Sequence, residues 1–251
     1  MKKLLVSVCA LVLLLFTSCN FTEELNIEDD GSGRLAIKFD GSELLQMSGG
    51  MKAEDEPAGK VIDSVISFKQ LLEEKKDSIA QLPIEEQEKL KKLEPFNLHM
   101  VMNEEAGDMK VDMYTDFKKV SELSDAFSAF QNVSAFSNNG IGGAPNSNES
   151  SFSNQEATEM SYSLKGNKFT RTNKVIDYDL LQQNVDSLGK MELFLSSSTY
   201  TLVYHFSKPV KSVSKKGALF SEDRKTVTIE VPFMDYMRDP EILNLEIELA
   251  N

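Results

Sequence analysis

From Leu4 to Phe16 the chain is almost continuously apolar; beyond Cys19, apolar and polar positions alternate or recur at helical intervals. Glu24 to Glu28 alternates, Asp29-Asp30-Gly31-Ser32-Gly33 supplies turn residues, and Arg34 to Phe39 alternates again, which predicts a β-hairpin. A short apolar segment, Glu43 to Met47, leads into a Gly-, Lys- and acid-rich stretch, Ser48 to Lys60, that reads as a surface loop. Val61, Val65, Phe68, Leu72 and Ile79 then fall at helical intervals, with Ile62, Ile66 and Leu71 widening the apolar face. This pattern predicts an amphipathic helix over Val61–Ile79. It should stop near Leu82, because a proline disfavours helical geometry in the residue before it, and Pro83 can open a second helix. On that second helix Glu85 and Lys89, and Glu88 and Lys92, stand four apart with the acid first, the favourable order on a solvated face.

Two more hairpin-and-helix units follow. Leu98, Met100 and Met102 share one side of a strand over Asn97–Asn103, Glu104 to Gly107 turns the chain, and Met109, Val111 and Met113 resume the alternation. A helix around Lys118 to Phe130 carries Val120, Leu123, Phe127 and Phe130. Later, Met160, Tyr162 and Leu164 lead through Gly166-Asn167 to a strand over Phe169–Ile176, then to a weaker helical stretch from Asp179 to about Leu195. Between these units lies Ser137 to Gln155, where fourteen of nineteen residues are Asn, Ser, Gly or Pro. With one charge, Glu149, and two scattered large apolar residues, Ile141 and Phe152, it cannot bury enough surface to offset its chain entropy, and reads as a flexible loop.

The last fifty residues are mostly β. Tyr200, Leu202, Tyr204 and Phe206 alternate, Lys208-Pro209 breaks the run, Val227, Ile229 and Val231 lie in a strand ending at Pro232, and Ile242 to Leu249 closes the chain. The expected fold class is α+β: antiparallel hairpins and sheet with several packed helices and a β-rich C-terminal region. The expected organisation is a signal segment, 1–18, and a single extracytoplasmic domain, 19–251, with the 137–155 loop as an excursion from one body.

The apolar run preceded by Lys2 and Lys3 is too short to span a bilayer comfortably but suits a secretory signal. Phe16-Thr17-Ser18-Cys19 resembles the lipobox at which a lipoprotein signal peptidase cuts before a diacylglyceryl-cysteine. The resemblance implies cleavage after Ser18 and lipidation of Cys19. Only Cys9 and Cys19 are present, so the mature chain would keep one thiol and no internal disulfide, and a two-chain lipid explains the odd cysteine. Loss of Lys2 and Lys3 leaves 25 basic against 40 acidic residues, a formal charge of −15, which argues against a nucleic-acid partner.

Tyr200 to Val213, Tyr-Thr-Leu-Val-Tyr-His-Phe-Ser-Lys-Pro-Val-Lys-Ser-Val, together with Thr226-Val227-Thr228, resembles the terminal region of LppM-type envelope lipoproteins. Glu23-Glu24-Leu25 followed by Asp30-Gly31-Ser32-Gly33 is similar to uncharacterised lipoproteins of the Bacteroidota. In that group acidic residues shortly after the lipidated cysteine serve as a surface-export signal, and Asp-Ser-apolar triplets serve as O-glycosylation acceptors. The resemblance would assign the first role to Glu23 and Glu24, and the second to Asp63-Ser64-Val65, Asp77-Ser78-Ile79 and Asp186-Ser187-Leu188. It implies a β-rich envelope domain, placed at the outer membrane with surface exposure open.

Candidate chemistry adds little. Asp29, Asp30 and Asp40 lack the alternating oxygen ligands and closing acid of a calcium loop and read as turn residues. His99 and His205 fall on the less apolar sides of their strands, without a cysteine nucleophile or Gly-x-Ser-x-Gly elbow. The methionines clustered at 100, 102, 109 and 113 read as core filling rather than as ligands. The expectation is therefore a lipid-anchored, non-catalytic envelope module without cofactor or metal, whose partners are the membrane, through Cys19, and an envelope protein. The alternative is a carrier or sensor of lipid or another hydrophobic ligand in an apolar cavity.

Overall fold

The computed structural model describes residues 20–47, 61–123, 157–189 and 191–251. The expected signal segment, 1–18, Cys19, the loop expected at 48–60 and the 137–155 tract lie outside the described residues. The expected hairpin forms from β1 (Asn20–Ile27) and β2 (Gly33–Asp40), paired in antiparallel register from Asn20 opposite Asp40 to Ile27 opposite Gly33. The tight connection depends on Gly33, where an added Cβ would stand 1.9 Å from the Asn26 carbonyl oxygen. It also uses Gly31, whose φ of +81° suits a residue without a side chain.

After a short helix α1 (Ser42–Met47), the chain departs from the expected pattern. Val61–Ser67 is a strand, β3, and the helical part begins only at α2 (Phe68–Glu74), followed by α3 (Lys76–Ile79) and α4 (Ile84–Lys91). The single helix over Val61–Ile79 is thus corrected to a strand and two short helices. Four of the first six residues are β-branched apolar residues that fit a pleated surface, and the segment finds a partner in β4 (Asn97–Asn103). The break near Leu82 and the restart after Pro83 occur as expected, with Pro83 in the N-cap position and Glu85 3.1 Å from Lys89.

β4 and β5 (Asp108–Phe117) form the second hairpin. Of the helix expected over 118–130, the described part contains a single 3-10 turn, Val120–Glu122; the rest lies outside the described residues. β6 (Thr158–Lys165) and β7 (Lys168–Val175) form the third hairpin. α5 (Tyr178–Ser187) follows, its first turn capped by the Asp177 carboxylate, which accepts from the Leu180 amide, and then α6 (Met191–Leu195). β8 (Thr199–Phe206), β9 (Val210–Val213), β10 (Leu219–Phe220) and β11 (Thr226–Pro232) precede a helix the pattern did not predict, α7 (Phe233–Arg238). A 3-10 turn, Pro240–Leu243, and β12 (Leu245–Leu249) complete the chain.

The strands make a mixed eight-stranded sheet, β10-β11-β8-β1-β2-β5-β4-β3, and a four-stranded sheet, β6-β7-β12-β9. The protein is α+β and β-rich. β1 lies deep within the larger sheet, antiparallel to β2 and parallel to β8, with Asn20 opposite Thr199 and Ile27 opposite Phe206. The inner face of the larger sheet presents Phe21, Leu25, Ile27, Leu35, Ile37, Leu98, Met113, Leu202 and Phe206 to one continuous core. Phe169, Leu245, Ile247 and Leu249 of the smaller sheet and Phe68, Leu90, Leu93 and Phe96 of the helical segment belong to the same core. Phe169 meets Tyr204 and Phe206 edge-on at 5.6 Å, which fixes how the smaller sheet sits over β8. The Met100–Met113 cluster does pack: Met113 is fully buried, and Met100 and Met109 are partly buried against the core.

Candidate functional site

The most unusual polar feature of the molecule is inside it. Inner-face positions of β1 read Phe21, Glu23, Leu25, Ile27, so a carboxylate stands where an apolar side chain belongs. Inner positions of β7 read Phe169, Arg171, Asn173, Val175, with the same violation. The two charged exceptions meet. Arg171 donates from Nε to Glu23 Oε1 at 3.1 Å and from Nη2 to Oε2 at 2.9 Å, a bidentate pair with both side chains at most 1% exposed. Its Nη1 donates to the Leu243 carbonyl at 3.1 Å. The Tyr162 hydroxyl donates to Glu23 Oε1 at 2.9 Å, Tyr200 donates to Oε2 at 3.0 Å, and Tyr204 donates to Oε1.

Electrostatics follow from this geometry. Burial alone would raise the Glu23 carboxyl, but the charge and hydrogen bonds of Arg171, with the Tyr204 and Tyr162 hydroxyls, hold it below its ordinary value. Burial works against the charged form of Arg171 too, and the charge of Glu23 outweighs it, so the guanidinium is held protonated. Burial, reinforced by the Glu23 charge, pushes the Tyr200 and Tyr204 hydroxyls well above their usual range, so they remain donors. Every polar atom of the Glu23 carboxylate is thereby satisfied away from water. The constellation joins β1 and β8 of one sheet to β6 and β7 of the other and offers no exposed atom to a substrate.

The outer face of the larger sheet is polar. His205 and His99 both point to this side, but β1, β2 and β5 lie between their strands, four strand spacings or about 19 Å across the sheet. His205 Nδ1 is 2.9 Å from Thr226 Oγ1, and His99 Nε2 is 2.9 Å from Asp63 Oδ1. Between them run Glu24, paired with Lys38, and Asp112, which sits opposite Lys38 on β2 and opposite His99 on β4. Asp112 Oδ1 is buried without a hydrogen-bond partner, and burial raises the Asp112 carboxyl above its ordinary value, against the pull of Lys38. The two histidines are not brought together, and among the described residues no group of three or more His, Cys, Asp or Glu side chains is placed to hold a metal ion.

Asp29 and Asp30 lie in the β1–β2 turn, where Asp30 accepts from the Ser32 amide and hydroxyl at 2.9 and 2.6 Å; Asp40 ends β2 and accepts from the Ser42 amide at 3.1 Å. Cys19 lies outside the described residues, but its peptide neighbour Asn20 is the first residue of β1. Between α2, α3 and α4 an open groove of about 550 Å³ is lined by Leu72, Ile79, Ile84 and Leu90, with Lys69 and Lys76 among its rim residues. Among the described residues no helix is long and apolar enough to cross a membrane.

The fold and the buried constellation define a class, a β-rich α+β domain of two sheets joined through a buried ion pair. No protein-family model matches the chain, and no curated protein matches it. Among solved structures it is similar to the folded domain of the LppM protein of Mycobacterium tuberculosis, determined by NMR, at 8% identity over 95% of each chain with a TM-score of 0.35. At that score no functional reading rests on the likeness.

Proposed function

We propose that the chain is a lipid-anchored, non-catalytic module of the cell envelope, held at the outer membrane through Cys19, that presents a rigid surface to an envelope protein partner. The observation that supports this reading is the position of β1. A strand that starts one residue after the lipobox-like cysteine is internal to an eight-stranded sheet and locked to the second sheet by Glu23 and Arg171. A lipid on Cys19 would therefore be coupled to the folded body almost without a spacer, as suits a module that works at a fixed distance from the membrane. A non-catalytic role accords with a buried ion pair that reaches no solvent and with histidines that stand strands apart. In this reading nucleic acid is not a partner.

The export role that the Bacteroidota resemblance would give Glu23 is at odds with the fold, since the folded domain buries that side chain completely and pairs Glu24 with Lys38. Surface display would require the signal to be read before folding. The experiment is fractionation of wild-type and Cys19→Ala protein, with protease shaving of intact cells and a pull-down from membranes. Wild type should stay with membranes and the processed variant should not. Membrane retention of the processed variant would overturn the anchor.

A second reading, carriage of a hydrophobic ligand, draws on the groove between α2, α3 and α4. The space between the sheets is occupied by Tyr162, Phe169, Tyr200, Tyr204 and Phe206, so a ligand would have to use that open groove. Lipid co-purifying with wild type, detected by mass spectrometry, and lost on Leu72→Glu substitution is the result this reading requires.

A further inference from the structure

The end of the molecule at which β1 begins is also the end at which several large apolar side chains are left in solvent. β8 starts there, with the Thr199 hydroxyl 2.9 Å from Asn20 Oδ1, and α6 lies just before it, tied by the Ser198 amide donating to the Leu195 carbonyl at 3.0 Å. β11 ends there at Pro232, opposite Thr199, and hands over to α7, whose Phe233 stacks on Phe21 at 4.3 Å and whose Arg238 pairs with Glu192 of α6. β7 climbs to the same end. Phe169 packs at the level of Tyr204 and Phe206, Arg171 at the level of Glu23, and the strand continues past them to Val175 and into α5, which packs on α7.

Three exposed side chains crown this end: Leu193 on α6 is 77% exposed, Tyr178 at the start of α5 is 71% exposed, and Ile176 between β7 and α5 is 55% exposed. Single exposed apolar residues need no explanation, but three at the end of the fold where β1 begins do. We propose that Ile176, Tyr178 and Leu193 form a second, non-covalent contact with the bilayer, standing the domain upright on the end that carries the lipid. The proposal rests on the anchor reading and deepens it. Its partner is a zwitterionic lipid surface, because Asp177 and Asp179 flank Tyr178 and would be repelled by anionic headgroups, while Glu192 beside Leu193 is already paired with Arg238. An aliphatic pair with a tyrosine, apolar in body and polar at the tip, suits the boundary between acyl chains and headgroups. The opposite end is the β1–β2 turn at Asp29, and an eight-residue strand sets it about 25 Å from the lipid.

The chain contains no tryptophan, so each substitution to tryptophan installs a sole indole, which can be excited apart from the tyrosines. Leu193→Trp, Tyr178→Trp and Asp29→Trp are all at exposed positions and should leave the fold intact. The full lipidated protein is reconstituted into phosphatidylethanolamine–phosphatidylcholine vesicles, with acyl-brominated lipid as quencher. The expected result is a blue shift and strong quenching at 193 and 178, with neither at 29. Vesicle-bound protein in which 193 and 178 emit as in water, or in which all three positions are quenched alike, would overturn the contact while leaving the anchor standing. Protein that fails to float with vesicles and carries no lipid by mass spectrometry would overturn the anchor, and the contact with it.

Discussion

Glu23 and Arg171 are each a hazard when buried alone and, as a pair, a link between the two sheets. Desolvating a carboxylate and a guanidinium costs several kcal/mol each, and only their mutual attraction and the full set of surrounding donors offset it. Removing one partner leaves the other charge buried alone. Arg171→Met should therefore lower the unfolding free energy by about 3–5 kcal/mol, measured by urea denaturation, and Glu23→Leu by a similar amount. The double variant Glu23→Leu/Arg171→Met should recover most of that loss; strictly additive losses would show that the pair is not the unit. Tyr204→Phe, which removes a donor to a charged acceptor, should cost about 1.5–3 kcal/mol.

Acidity tests the same residues. The Glu23 carboxyl is lowered from 4.5 in the fold, so its contribution is present above the unfolded value and is lost as pH falls through the lower folded value. Wild type should lose stability steeply below about pH 4.5, and Glu23→Gln should flatten that part of the profile. Asp112 has the opposite sign, since its carboxyl is raised in the fold and its ionisation at neutral pH works against stability. Asp112→Asn should raise the melting temperature at pH 7, and the gain should vanish below pH 3.8, where both folded and unfolded carboxyls are protonated.

At the scale of elements, the hairpins were legible because each has one face in the core and one in water, and the period of two survives in the sequence. β3 was not. As an edge strand it leaves Val61 and Val65 on the solvated face, 67% and 61% exposed, so its apolar residues do not alternate. Their spacing then coincided with Phe68 and Leu72 of the following helix to imitate a period of 3.6. α7 is not legible because six residues, four of them buried, span less than two turns, too few for the exposed Asp235 and Arg238 to establish a helical period. Glu23 and Arg171 each left a trace, a charge on the apolar side of an alternating strand. That they belong to each other could not be read across 148 residues. Hydrogen exchange distinguishes the two readings of 61–67. The Phe68 amide bonds the Phe96 carbonyl, so Ile62, Ser64 and Ile66 aim their amides at β4 and should be protected, while Val61, Asp63 and Val65 exchange fast. Uniform protection along 61–67 would restore the helix. Within β4, Leu98→Ala should cost about 2–5 kcal/mol, whereas Val65→Thr on the exposed face should stay within about 0.5 kcal/mol.

For the whole molecule, the order in which strands are joined differs from the order in which they are made. β1 meets β2 within a few residues of chain, yet its other flank is β8, 179 residues further on, and β11 lies beyond that. Contacts this distant in sequence close slowly, because the loop entropy must be overcome before any contact repays it. A chain exported N-terminus first would present its leading strand early and wait for nearly its full length to arrive before that strand could be enclosed. In a chain exported in that way, the residues of β1 would stay open until β8 arrived, and the parallel pairing of β1 with β8 would be the step that encloses them.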